Sequence, residues 1–402
     1  MSTRRSGTRD APVSRFPKGP LLGWVSMSGT RKPGLATVAD LPHTMLTSSG
    51  RASLYQALQL LELPPGSTVL VPTYHCPTMV APVLCAGLTP RFFGIDANGL
   101  PRLETIPDEV RTSARAMIVA HYFGVPQNLG EVRRWCDAAG VALIEDCAHA
   151  LFGRVDDQAV GSWGDYATAS ISKFLPVPEL GLLASSRRRL PAKHLGAATF
   201  RAQVKGVVDV LESGATFGRP AWMSPLLRAL FALKNRRRLH PPASAPGPMP
   251  ALDEEEMLVV CDMGRIDEAP LHVSRWIHRS MPLGRVVRRR QENFALYAEG
   301  LKSLPGARPL LSTRSRQVAP YVFPLWVDDG DRVYHALRDA GMPVYRWDRI
   351  WPGTPDLAGD HGPLWSRHVV QLLCHQDLSR EEVQTVIAEG LDLLGVTAPD
   401  KM

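Results

Sequence analysis

Lysine is scarce in this 402-residue chain: 46 residues are basic, but only eight of them are lysines and 38 are arginines. The six cysteines, Cys76, Cys85, Cys136, Cys147, Cys261 and Cys374, form no Cys-x-x-Cys pair and no spacing that suits a metal. This excludes a zinc-ribbon or disulfide-stapled scaffold and fits reduced thiols in a cytoplasmic protein. No window approaches the ~18 consecutive apolar residues of a membrane span. The first twenty residues, MSTRRSGTRDAPVSRFPKGP, have arginines with no apolar run behind them, so no secretory leader is expected and the stretch reads as flexible. Against 39 acidic residues the net charge is +7, too thinly spread for a protein that coats nucleic acid.

What the chain does have is a globular composition, 45% hydrophobic and 21% charged, and enough length for two or three domains. From residue 49 to about 186 it alternates between two periods. Helical spacing is expected over 50–63, 77–86 and 129–139, and short strands, apolar on both faces, over 68–72, 90–95, 116–121, 141–145, 166–172 and 181–185. This pattern predicts a largely parallel sheet covered by helices on both sides. Residues 187–260 read as an excursion and connector, with arginine clusters, a proline-rich tract and the amphipathic stretch 225–233, expected as a surface helix. A long helix over 267–304, a strand over 321–327 and helices over 332–340 and 381–394 complete a smaller α+β domain. The expected division is a flexible 1–20, a large α/β domain over 21–260 and a small domain over 261–402.

Three features carry chemistry. Glu145-Asp146-Cys147-Ala148-His149-Ala150 lies where an apolar strand ends, the place where ligands gather in parallel α/β sheets. Ser170-Ile-Ser-Lys173-Phe-Leu-Pro-Val-Pro178 puts a lysine in apolar surroundings after the next strand. Arginine stays protonated there, whereas a desolvated lysine loses its proton and attacks a carbonyl. A carboxylate and a lysine 27 positions apart, one strand apart in the sheet, make the pair that pyridoxal phosphate chemistry requires: Asp146 keeps the pyridine nitrogen protonated and Lys173 forms the internal aldimine. Third, Ser48-Ser49-Gly50-Arg51-Ala52 opens the first long helix, whose free N–H groups suit a phosphate. His121 reads equally as a site residue or a hydrogen-bonded core histidine. Trp347, Trp351 and Trp365 read as aromatic packing, with the shaping of a substrate pocket as the alternative, and Arg288-Arg289-Arg290 as a solvated helix face.

These stretches, with Val71-Pro-Thr-Tyr-His-Cys76, His121-Tyr-Phe-Gly124, Gly161-Ser-Trp-Gly-Asp165 and Cys374-His-Gln-Asp-Leu378, resemble the DegT/DnrJ/StrS sugar aminotransferases, in family order over most of the chain. The resemblance implies the fold-type I architecture of pyridoxal phosphate enzymes, with a mainly parallel seven-stranded sheet and a smaller C-terminal domain. It implies Lys173 as Schiff-base lysine, Asp146 as pyridinium partner and His149 near the cofactor's phenolic oxygen. Gly50, Arg51, Ala52 and Ser170 would meet the phosphate, and Tyr74, His75 or Cys76 the ring face. His121 and His375 are expected near the substrate, and no metal is. Three departures stand out. Arg51 replaces the usual threonine and could reach the phosphate directly, Leu180 stands where glycine is usual, and Cys261-Asp-Met-Gly-Arg265 replaces the segment that commonly brings an asparagine from the neighbouring subunit.

The function expected from the resemblance is that of a cytoplasmic, homodimeric pyridoxal 5'-phosphate-dependent aminotransferase. It would move an amino group from a donor such as glutamate to a keto sugar or another small keto metabolite, with no nucleic-acid or membrane partner. Another reaction of the same cofactor, or a catalytically silent scaffold used for binding, are the alternatives.

Overall fold

The computed structural model describes residues 14–192, 194–218, 252–302, 304–311 and 317–395. Among the described residues nine strands belong to the large domain: β1 (His43–Thr47), β2 (Thr68–Pro72), β3 (Thr89–Phe93), β4 (Ala114–Ala120), β5 (Ala142–Asp146), the ribbon of two-residue strands β6 (Arg154–Val155) and β7 (Gln158–Ala159), β8 (Tyr166–Ser170) and β9 (Gly181–Ser185). Seven of them form one sheet in the order β1-β9-β8-β5-β4-β2-β3. The run from β8 to β3 is parallel, and β9 is antiparallel to both of its neighbours. The inner parallel strands β2, β4 and β5 are largely buried on both faces, as their mostly apolar sequences demand, whereas the edge strand β3 is only partly buried. The expected fold class holds. β1 was not foreseen, because His-Thr-Met-Leu-Thr is short and half polar.

The small domain is a four-stranded antiparallel sheet, β10 (Ala307–Pro309), β11 (Val322–Val327), β12 (Val344–Tyr345) and β13 (Val369–Leu373), in the order β10-β11-β13-β12. Helices Leu283–Gly300, Gly330–Asp339 and Arg380–Leu393 pack around it. The helix expected over 267–304 is two helices, His272–Ser280 and Leu283–Gly300, because Pro282 lacks the N–H needed to continue the first. Of the 187–260 excursion, helices Phe200–Thr216 and Glu254–Cys261 are seen, and the amphipathic stretch 225–233 lies outside the described residues.

Two further expectations are corrected. Residues 14–20, read as part of a flexible end, pack onto the small domain. The Arg15 N–H donates to the Gly341 carbonyl at 2.8 Å, the Pro17 carbonyl lies 2.9 Å from His375 Nε2, and Phe16 is buried. Residues 1–13 lie outside the described residues. Arg290, read as part of a solvated face, is fully buried. The helix carrying it runs between the two cores, so its inward side meets backbone carbonyls and not water.

The departure at Leu180 is absorbed by packing, since its side chain is fully buried in the core around β8 and β9. Gly181, next to it, has no such latitude: a Cβ there would lie 2.0 Å from the Ser49 carbonyl oxygen and 2.4 Å from Thr47 Oγ1. Gly181→Ala must therefore push β9 away from the turn that opens helix Gly50–Leu60. It is expected to destabilise the protein by ~1–3 kcal/mol, read as a lower urea midpoint at unchanged slope.

Candidate active site

A cavity of about 220 Å³ opens at the carboxyl ends of β5 and β8, lined by Ser49, Gly50, Arg51, Cys76, Asp146, Thr168, Ser170, Ser172, Lys173 and Glu179 among others. Asp146 is the last residue of β5, and register places it opposite Thr168 of β8. Lys173 ends the single 3-10 turn that follows β8. Adjacent parallel strands thus deliver the carboxylate and the amine to one wall.

Burial raises the pKa of the Asp146 carboxyl, opposed by the positive charge of Lys173 and by the Ala148 N–H, which donates to Oδ1 at 2.8 Å. Burial likewise lowers the pKa of Lys173, opposed by its acidic neighbours. The two groups offset one another's desolvation, and Lys173 remains easier to deprotonate than a solvated lysine. Its Nζ lies 5.4 Å from the Tyr321 ring centre and 6.0 Å from that of Trp347.

The opposite wall is the start of helix Gly50–Leu60. Ser49 Oγ accepts the Ala52 N–H and the Ser49 carbonyl accepts the Ser53 N–H, which leaves the N–H groups of Gly50 and Arg51 without a partner among the described residues. Ser170 stands against them: a Cβ on Gly50 would lie 2.9 Å from that of Ser170. A carboxylate, an amine and a helix start with a serine beside it are the donor and acceptor set that pyridoxal phosphate needs, so the residues present fit that cofactor.

The other expected residues fall into two groups. Cys76 lines the cavity, whereas Tyr74 and His75 do not. Tyr74 is buried among Tyr122, Phe123, Trp347 and Trp365. His75 Nδ1 donates to the Pro72 carbonyl at 2.9 Å and its Nε2 accepts the Trp351 N–H at 3.0 Å. His149 packs between Tyr321 and Trp347, with ring centres 4.4 and 4.7 Å away, and accepts the Phe123 N–H on Nδ1. Burial, and then the charge of Lys173, hold it neutral. His121 takes the core reading: Nδ1 accepts the Gln127 N–H and Nε2 lies 2.9 Å from Glu145, whose oxygens also accept the Gly161 and Gly164 N–H groups. His375 is buried on Pro17 and is absent from the cavity wall.

Arg51 does not point its charge at the helix start. Its guanidinium donates to Glu179 Oε1 at 2.7 Å and to the Asp262 carbonyl at 2.8 Å. Sequence reasoning missed Thr168, Ser172 and Glu179, which share strand β8 or the lysine loop, and Tyr321, brought from the small domain together with Trp347, which it had singled out without placing it beside Lys173. The strand-end rule already pointed to the first group. No local signal marked the second.

Residues 33–185 match the sequence profile of the DegT/DnrJ/EryC1/StrS aminotransferase family, and every residue of the cavity wall falls inside that segment. Over this segment, less than half of its length, the chain resembles that family. Over 171 residues it is 29% identical to the GDP-perosamine synthase of Vibrio cholerae, a match covering 41% of this chain and 47% of that one. The chain therefore spans about half the length of such curated relatives, and 39% of the UDP-N-acetyl-3-dehydro-alpha-D-glucosamine 3-aminotransferase of Acidithiobacillus ferrooxidans, which is 31% identical over 148 residues. In three dimensions it resembles the aminotransferase TlmJ of Streptoalloteichus hindustanus, with a TM-score of 0.58 at 21% identity over 88% of this chain and 87% of that one. NtdA of Bacillus subtilis, solved with the cofactor PMP bound, aligns with a TM-score of 0.55 at 15% identity, covering 88% and 73%. These likenesses establish the fold shared with family aminotransferases.

His75 generates a pH prediction. Burial pushes its pKa down to about 4, and the Trp351 N–H occupies the nitrogen that a second proton would need. The unfolded chain takes up that proton near pH 6.5 and the folded one does not, so stability falls as pH drops through this window, by roughly 3 kcal/mol for this group. Denaturant melts between pH 7 and 4 are expected to show this loss, with a shallower slope in His75→Gln. Equal slopes would refute the assignment.

Proposed function

We propose that the protein is a pyridoxal 5'-phosphate-dependent aminotransferase acting on a keto sugar or a related small keto metabolite, with an amino acid such as glutamate as donor. The observation that carries this reading is the meeting of Asp146, Lys173 and the start of helix Gly50–Leu60 on one cavity. Asp146 would hold the cofactor's ring nitrogen. The open N–H groups of Gly50 and Arg51, with the Ser170 hydroxyl and the Ala52 end of the turn, would hold its phosphate. His149, held neutral, would neighbour the phenolic oxygen, and Cys76 would face the ring. When bound, the cofactor supplies an electron-withdrawing ring that carries nitrogen between donor and acceptor.

The chain's own groups do the rest. Asp146 keeps a negative charge fixed where positive charge must persist on the ring nitrogen, without waiting for water to reorganise. Lys173, its pKa lowered by burial, gives up its proton more readily than a solvated lysine and would move a proton at Nζ. Tyr321 and Trp347 cover that amine from the small-domain side. The paired Arg51 and Arg265 offset the Glu179 carboxylate at the cavity edge, at 2.7 and 3.7 Å, so that it need not repel a phosphate.

A homodimer in the cytoplasm completes the proposal. Phe200, Val204, Val207 and Leu211 expose an apolar stripe on helix Phe200–Thr216 that a second copy would cover. No helix among the described residues is long and apolar enough to cross a membrane.

Titration of the purified protein with pyridoxal 5'-phosphate is expected to give a visible absorption band, and borohydride to fix the cofactor's mass on the peptide containing Lys173. Lys173→Ala should lose both, with turnover lowered by about 10²–10⁴. Addition of glutamate should convert the wild-type band. A wild-type protein with neither band nor labelled peptide would end this reading.

A further inference from the structure

Among the described residues, Arg290 is the most deeply buried arginine, and the proposed chemistry does not explain its place. It sits on helix Leu283–Gly300 with no exposed surface, and each of its hydrogen-bond partners is a neutral oxygen. Nη2 donates to the Lys173 carbonyl at 2.7 Å, Nη1 to the carbonyls of Pro320 and Tyr321 at 3.1 and 3.3 Å, and Nε to Gln376 Oε1 at 3.0 Å. The guanidinium also lies 4.5 Å from the ring centre of Phe174. Gln376 passes the contact on, its Nε2 donating to the Phe174 carbonyl at 2.8 Å. The nearby carboxylate, Asp377, is engaged by Arg285 at 2.9 Å and by the Leu21 N–H at 3.0 Å. Burial lowers the pKa of Arg290 to about 10, so it keeps its charge at neutral pH.

Burying a guanidinium on neutral carbonyls costs several kcal/mol unless its hydrogen bonds are satisfied. A hydrophobic residue would fill the space at less cost. What only the planar, multiply donating guanidinium does here is grip three carbonyls at once. The turn that presents Lys173 ends with its last carbonyls turned out, as every helical turn does. Lys173 and Phe174 supply two of these, and both are held from the small domain. The same guanidinium fixes the backbone of Tyr321, whose ring covers the lysine amine and stacks on His149.

We propose that Arg290, with Gln376, is a positioning residue for Lys173: an interdomain clasp that fixes the lysine turn and the Tyr321 ring relative to each other, and so keeps the amine in its dry place beneath that ring. This rests on the reading of Lys173 as the reacting amine, but its test does not need the cofactor.

The experiment is competitive labelling of the cofactor-free full chain with trinitrobenzenesulfonate over a range of pH, read peptide by peptide by mass spectrometry, with added Nα-acetyl-lysine as internal standard. Wild-type Lys173 is expected to titrate below the standard. Gln376→Met removes the donor to the Phe174 carbonyl without adding a charge, and Arg290→Lys keeps the charge but cannot span three carbonyls. Both are expected to move the Lys173 midpoint up toward that of the standard by about one pH unit, a tenfold loss of neutral amine at a given pH below it. Adding pyridoxal 5'-phosphate should then give a visible circular-dichroism band weaker than that of wild type.

A purely structural role would lower the melting temperature and leave the Lys173 midpoint unmoved, and that result in folded Gln376→Met would overturn the proposal. Should Arg290→Lys fail to fold, Gln376→Met alone decides. Loss of the cofactor band in wild type with the midpoint shift intact would sink the cofactor reading and leave the clasp standing.

Discussion

The structure depends on holding two opposite charges, Asp146 and Lys173, out of bulk water at the ends of neighbouring parallel strands. Neither ion is cheap to bury alone, and their shifts run in the directions that burial imposes, each limited by the other. Parallel pairing of β5 with β8 supplies the proximity, and the 3-10 turn after β8 brings the lysine back toward the carboxylate. The rest of the molecule answers the needs of this pair: a helix start on one side, aromatic rings on the other, and a backbone clasp behind the lysine.

The departures from the family pattern are consistent with one another once charge is followed. An arginine in the first turn would crowd a phosphate, but Glu179 and the Asp262 carbonyl draw Arg51 aside. Glu179 in turn would repel an anion, but Arg51 and Arg265 flank it. The Cys261-to-Arg265 segment thus anchors the turn that opens helix Gly50–Leu60, through Asp262 and through the Arg265 carbonyl, which accepts from Ser48 Oγ at 2.6 Å. An unusual residue at one position is accommodated by unusual residues at two others.

Much of this was legible in the sequence because strand and site signals are local. The runs 68–72 and 181–185 coincide with β2 and β9, Asp146 ends β5, and Lys173 follows the end of β8 by one 3-10 turn, three residues beyond the strand. What stayed hidden was set by tertiary contact. Helical spacing over 267–304 could not show that Met281-Pro282 breaks the run, and a triple arginine looks solvated until the helix's neighbours are known. Tyr74 and His75 were candidates for the ring face by position alone. The side chains of adjacent residues diverge, and only Cys76 reaches the cavity while Tyr74 joins the aromatic core.

The imbalance between 38 arginines and eight lysines acquires a physical meaning here. Arginine carries the structural charges: Arg290 grips carbonyls, Arg285 pairs with Asp377, Arg133 bridges Asp137 and Asp165, and Arg51 ties the helix start to the lysine loop. Each of these sites needs a cation that stays charged while it is desolvated and that donates in several directions. Lys173 occupies the one place on the cavity wall where the opposite property is useful, an amine that gives up its proton when water is removed. Had both tasks been given to the same residue type, burial would have discharged the scaffold or fixed a charge on the reacting group. Keeping the two cations distinct lets one fold hold a buried guanidinium and a buried amine on opposite faces of a single turn.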